Sequence, residues 1–141
     1  MRRLHKFLAL DWPDRFLVVE AALWLCLSRI ALAVLPFRWV WSCAQRASHR
    51  PPGSLASDTR PQRVSWAVST VAPIIPGGTC LPQAVTGTLM LAWRGIPSQI
   101  HIGVDKESGA LQAHAWLEAG GRVILGNHGI QAYKVLTRTG P

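Results

Sequence analysis

Apolar residues recur with a helical period through the first third of the chain and with a period of two after residue 99. Residues 13–35 are predicted to form one long helix, and Pro36 marks a bend into a second helix over residues 37–47. Residues 48–62 combine three prolines with serine, glycine and charged residues, so we expect a mobile loop there. A short helix over residues 63–71 is predicted to follow this loop.

The stretch that begins at Cys80 is predicted to be a central, buried helix. Thr79 suits the N-cap position, and Pro82 falls in the first turn, where a missing amide hydrogen costs little. A Gly-x-Pro sequence at residues 95–97 ends the helix. Because Gly87 and the threonines beside it are poor helix formers, the stability of this helix must come from burial.

The period-two pattern predicts an antiparallel meander. Residues 99–104 alternate polar with apolar positions, which is typical of a half-buried strand. Residues 112–119 alternate again, with His114 on the face opposite the small residues. The glycines at 120–121 supply the positive φ angles of a tight hairpin, and residues 122–126 run back. The predicted fold class is therefore α+β, with a central cysteine-bearing helix packed on the meander.

Length and charge limit the function classes. A chain of 141 residues suits one domain with one sizeable core. The net charge of +8 and the pI near 10.8 favour an acidic partner. The cations are scattered along the chain, and no zinc-finger, RNP or helix-turn-helix pattern occurs, so nucleic-acid binding is not expected.

The most apolar stretch, residues 16–37, is long enough to span a bilayer. Glu20 and Arg29 lie within it, so an integral helix is not expected and a helix covered by the rest of the domain is preferred. Peripheral membrane contact stays open, because the region holds interfacial tryptophans and arginines, namely Trp24, Trp39, Trp41, Arg38 and Arg46. Three cysteines without CxxC spacing, and no recognisable signal peptide, predict a cytoplasmic location.

Cys80 is the candidate for chemistry. In the first turn of a helix its sulfur meets unpaired amides and the positive end of the helix dipole, which favour a negatively charged sulfur and could hold an oxyanion. His114 is the candidate base, but a lone cysteine or histidine is more often structural, so these residues alone leave both interpretations open. Glu118 lies four residues along the same strand from His114, roughly 13 Å away, and does not suit the role of its partner.

A catalytic triad also needs a third group that orients the imidazole. If the two glycines form the hairpin loop, antiparallel counting sets His114 opposite Asn127, with Cβ atoms roughly 5 Å apart. A one-residue slip would place Gly126 there instead. His128 is another polar group close by.

Two stretches carry a family resemblance: "CLPQAVTGTLMLAWRGIPSQIHIGV" and "AHAWLEAGGRVILGN". The family pattern is a cysteine-bearing helix start, an RRG[IV]P helix end, a strand that ends in GV, and HAW[VL]E. Its elements stand here at residues 80–82, 94–97, 103–104 and 114–118. This combination resembles the leader peptidase of lasso peptide biosynthesis, the transglutaminase-like cysteine protease part of the B protein.

The resemblance implies a papain-like catalytic core over residues 63–141, with the helices and proline-rich loop of residues 1–62 integrated into one domain. It implies Cys80 as the nucleophile and His114 as the general base. The family usually offers an aspartate on the next strand, and this chain has none there. Asn127 is the substitute, a neutral amide that would orient the imidazole without a full charge.

By the same resemblance, the substrate is a ribosomally made precursor peptide from which the leader is cut. An asparagine-synthetase-like cyclase would consume ATP and close the ring, and no P-loop occurs here, so no cofactor is expected. A separate leader-recognition protein is expected to dock on the helices of residues 13–47, near Arg38, Arg46 and Arg50. A transglutaminase-like acyl transferase and a non-catalytic scaffold are the alternatives.

Overall fold

The computed structural model describes residues 2–49, 61–105 and 109–139. Its helices are α1 (Arg2–Leu8), α2 (Trp12–Val34), α3 (Phe37–Ser48), α4 (Pro61–Val71) and α5 (Cys80–Trp93). Its strands are β1 (Gln99–Asp105), β2 (Gln112–Ala119), β3 (Arg122–Leu125) and β4 (Lys134–Arg138), and a 3₁₀ turn at Ile130–Ala132 precedes β4. Mixed helices and an antiparallel sheet confirm the α+β prediction.

The predicted helices are present, with small differences at their ends. Both α2 and α3 confirm the break at Pro36, which lies at the N-cap of α3. The helix expected from residue 63 begins two residues earlier, because Pro61 occupies its first turn, where proline is well tolerated. The predicted loop is shorter at that end, and its residues 50–60 lie outside the described part of the chain.

Helices α2, α4 and α5 pack together in one hydrophobic core. The middle of α5 is buried all round, and the Thr86 hydroxyl donates a hydrogen bond to the Ser28 hydroxyl on α2 at 3.0 Å. At the end of α5, both terminal nitrogens of Arg94 donate to the Glu20 carboxylate, at 2.9 and 2.6 Å. These two contacts show that α2 and α5 run antiparallel, so the end of α2 lies near the start of α5.

The strands form one sheet in the order β3-β2-β1-β4. Strands β1 and β2 pair from Gln99 with Glu118 to Asp105 with Gln112, without a break in register. One face of this pair belongs to the core and carries the fully buried Ile100 and Leu117. A Cβ on Gly87 would lie 2.5 Å from Cδ2 of Leu117, so glycine lets α5 approach the sheet closely.

The hairpin between β2 and β3 starts as predicted and then departs from the prediction. Its two glycines have φ of +59° and +75°. The register shifts by one residue after the two pairs next to the turn, so Leu117 pairs with Leu125 rather than with Ile124. This bulge, followed by the positive φ of Gly126 where β3 ends, makes the predicted pairing of His114 with Asn127 wrong.

The segment of residues 126–133 forms a second layer on the sheet. Strands β3 and β4 lie at opposite edges, so the chain between them must cross β2 and β1. It crosses the face away from α5, where a Cβ on Gly126 would lie 3.1 Å from the Cβ of Trp116. Trp116 and His101 are therefore buried, and β1 is covered on both faces rather than half-buried as predicted.

Candidate active site

Cys80 is the first residue of α5, and the turn before it is held by backbone and amide contacts. Thr79 is the N-cap residue, in an extended conformation, but its side chain makes no capping hydrogen bond. The side-chain amide of Gln83 donates to the Gly78 carbonyl at 2.7 Å. The thiol of Cys80 is free and partly exposed. The uncapped amides at the start of α5 are thus available to an oxygen that develops negative charge beside the sulfur.

A cation lies against the loop that leads to Cys80. The guanidinium of Arg29, on α2, is packed so closely on Gly77 that a Cβ there would fall 2.0 Å from its Nε. Gly77 also has a φ of +74°, so any other residue would be strained as well as displaced. Arg29 therefore adds positive charge beside the turn that presents the thiol.

His114 is held on β2 by its neighbours. Its ring stacks on Trp116 at 6.2 Å and lies 5.1 Å from the ring of Tyr133, measured between centroids. Its Nε2 is 2.7 Å from the carbonyl oxygen of Gly126. A carbonyl oxygen can only accept, so Nε2 donates and the neutral ring keeps Nδ1 as its proton acceptor. This is the arrangement that a general base requires.

The close approach of Gly87 to Leu117 packs α5, which begins with Cys80, against β2, which carries His114. Gly87 lies over Leu117. Cys80 is seven residues before Gly87, about 10 Å along a helix, and His114 is three residues before Leu117, about 10 Å along a strand. Alternation puts the His114 ring on the face opposite α5, and among the described residues its hydrogen bond is to Gly126, not to the thiol.

Asn127 directly follows Gly126, whose carbonyl oxygen contacts the His114 ring, and His128 comes next. Asn127 and His128 are both exposed, just beyond the end of β3. Glu118, rejected on the sequence as a partner for His114, lies 3.2 Å from Nε2 of His101 instead. In the described ranges, no group of three His, Cys, Asp or Glu side chains could hold a metal ion.

Sequence reasoning missed the group that contacts His114, because that group is a main-chain oxygen. The sequence places Gly126 opposite His114 only if the register slips by one residue. The bulge shifts the register in the opposite direction. The contact comes from the bend in the chain at Gly126 and not from strand pairing. Tyr133 was missed as well, because the crossing segment that brings it to His114 has no hydrophobic period of its own.

Comparison with known proteins agrees with this architecture. A model of the transglutaminase-like superfamily matches residues 23–138, which include the helix that begins at Cys80 and the strand that carries His114. No curated protein and no solved structure matches the chain. The match extends over most of the sequence, from within α2 to the last residue of β4. This chain therefore belongs to the transglutaminase-like superfamily.

Proposed function

We propose that the protein is a cysteine peptidase that removes the leader from a ribosomally made lasso peptide precursor. The observation that carries the proposal is the packing of two elements that each present one reactive group. A free, partly exposed thiol begins a buried helix, and the strand packed against that helix carries a histidine whose Nε2 hydrogen is bonded to a carbonyl. The motifs shared with lasso leader peptidases supply the substrate class.

The proposed reaction uses Cys80 as nucleophile and His114 as base. Nδ1 of His114 takes the thiol proton, and the sulfur attacks the carbonyl carbon of the scissile peptide bond. The oxyanion accepts hydrogen bonds from the first amides of α5. The intermediate collapses to a thioester as His114 returns its proton to the leaving amine. Water, deprotonated by the same ring, then releases the leader as a carboxylic acid and restores the thiol.

Proton transfer from the Cys80 thiol requires the His114 ring to approach the sulfur. The sulfur lies at the start of α5 and alternation puts the ring on the other face of β2, so the reaction requires the two groups to come within hydrogen-bond distance. The Gly126 carbonyl holds the ring during this approach, beside the orienting part predicted for Asn127. As a neutral acceptor it fixes the tautomer without adding a full negative charge. Asn127 stays a prediction, tested by the substitutions given below.

We further propose that substrate delivery is divided between proteins, with a separate leader-recognition protein and a cyclase that acts on the freed amine. The groove between α2 and α3 has a volume of about 760 Å³ and an apolar floor. Arg38 and Arg46 line it and suit an acidic docking partner. Arg50, the third predicted cation, lies outside the described residues.

The test is cleavage of full-length precursor by the purified protein, with and without the recognition protein, followed by mass spectrometry. Cys80→Ala and His114→Ala should each abolish leader removal, and the double variant should be scarcely worse than either single one. The chain supplies a matched control, because Cys26→Ala removes an exposed thiol that does not line the groove and should keep full activity. Cleavage by Cys80→Ala would rule the mechanism out.

Two other outcomes would replace the proposal. Incorporation of an added primary amine at the expense of hydrolysis would indicate an acyl transferase, because an amine rather than water would then resolve the thioester. A Cys80 thiol that iodoacetamide does not alkylate at neutral pH would indicate a packing residue in a scaffold protein. Equal cleavage with and without the recognition protein would refute the division of labour while leaving the peptidase intact.

A further inference from the structure

Helix α2 has a second apolar face that the core does not use. Its core face carries Leu17, Ala21 and Leu25, which are buried against the other helices. The opposite face carries seven large apolar side chains, each at least 48% exposed: Trp12, Phe16, Val19, Leu23, Leu27, Ile30 and Val34. At about 100° per residue these seven lie within an arc of roughly 80°. We call them the α2 stripe.

The geometry of the α2 stripe suits a flat partner. Its members follow one another at intervals of three or four residues, about 3.7 on average, close to the period of a straight α-helix. The stripe therefore runs along the helix axis without winding around it, for about 34 Å. A two-stranded left-handed coiled coil needs a period of 3.5, so a second copy of α2 would lose contact along the helix.

The charges around the α2 stripe favour an anionic surface. The two acidic residues within α2 are already engaged with arginines, Asp14 with Arg63 and Glu20 with Arg94. Exposed cations lie beyond both ends, Arg2 and Lys6 on α1 and Arg38 on α3. Exposed Trp12 and Trp39 lie near the same two ends, as is typical of helices at a bilayer interface.

We propose that the protein binds the surface of an anionic lipid bilayer through the α2 stripe, with α2 parallel to the membrane plane. In the described ranges, α2 is long and apolar enough to cross a membrane. Length and composition alone do not distinguish a spanning helix from the core helix of a soluble protein. Spanning would pull Leu17 and Leu25 out of the core and break the contact of Glu20 with Arg94. A helix that lies on the surface keeps both the core packing and this contact.

The experiment is flotation of the full-length protein with vesicles of phosphatidylcholine, alone or mixed with phosphatidylglycerol. Wild type should bind the mixed vesicles at least about 10-fold more tightly, and salt should weaken this binding without abolishing it. Leu23→Ser combined with Ile30→Ser should weaken binding by at least about 10-fold, because two large apolar side chains no longer enter the interface. No substrate is present, so the result is independent of the peptidase proposal.

A matched control comes from the sheet. Leu136 on β4 is 63% exposed, the same fraction as Leu23, and Leu111 is 73% exposed. Leu111→Ser combined with Leu136→Ser should therefore leave vesicle binding within about twofold of wild type. Circular dichroism verifies that both double variants fold. Quenching of tryptophan fluorescence in wild type by brominated acyl chains tests insertion without any substitution.

Several results would overturn the proposal. Wild type that binds neither vesicle would do so, as would stripe variants that bind like wild type or control variants that lose binding equally. A wild-type dimer that the stripe substitutions dissociate, without vesicle binding, would assign the stripe to a second copy. Loss of recognition-protein binding in the stripe variants, with vesicle binding unchanged, would assign it to that protein.

Discussion

The ion pair between Glu20 and Arg94 should contribute more to the free energy of unfolding than an ion pair on the protein surface does. Arg94 ends α5 and donates twice to Glu20 on α2, at 2.9 and 2.6 Å, and once to the Met90 carbonyl at 2.9 Å. The two side chains are only 12% and 16% exposed. Glu20→Ala would therefore remove two hydrogen-bond acceptors of the Arg94 guanidinium and leave only the Met90 carbonyl, where water has little access.

The structure gives the size of the effect. Two unit charges about 4 Å apart attract by about 4 kcal/mol at an effective dielectric constant of 20, and desolvation offsets part of this. We expect Glu20→Ala to lower the free energy of unfolding by about 3 kcal/mol, and the coupling energy of the pair to be about 2 kcal/mol. Arg63 and Asp14 form a matched pair between α4 and α2 that is 47% and 28% exposed, and its coupling should stay below about 1 kcal/mol.

Double-mutant cycles by urea unfolding measure both coupling energies. A coupling below about 0.5 kcal/mol for Glu20 and Arg94, or one equal to that of the exposed pair, would refute the reasoning from burial. Cys80 and Arg94 lie at opposite ends of α5, about 20 Å apart. In folded Glu20→Ala, iodoacetamide should therefore alkylate Cys80 at the wild-type rate. This result would show that the substitution lowers stability without changing the surroundings of Cys80.

Two other substitutions test the packing and the third catalytic role. Gly87→Ala should destabilise the protein by about 1 kcal/mol in thermal unfolding, because overpacking against Leu117 and Leu125 exceeds the gain in helix propensity, and the cost should become smaller in a Leu117→Ala background. Asn127→Ala should lower turnover and Asn127→Asp should keep it. Wild-type turnover in Asn127→Ala, with loss in His128→Ala, would move the role to His128; wild-type turnover in both would leave orientation to the Gly126 carbonyl.

Local signals in the sequence determined most of the elements. A helical period and a proline at each boundary located α2 and α3, and alternation located β1 and β2. The two glycines located the hairpin, since few other residues tolerate positive φ at both positions. Such signals depend on neighbours a few residues apart, and they placed Cys80 at a helix start and His114 on a strand.

Only the tertiary structure decided how distant segments meet. The bulge between Leu117 and Glu118 shifts the register that was expected to set His114 opposite Asn127, because hairpin counting assumes that no residue is skipped. The bend at Gly126 brings its carbonyl to the His114 ring, and the pairing of β4 with β1 returns the chain across the sheet so that Tyr133 reaches the same ring. The sequence also showed α2 as apolar without saying which apolar face the core would cover. Burial is a property of the packed chain, and packing leaves the α2 stripe exposed.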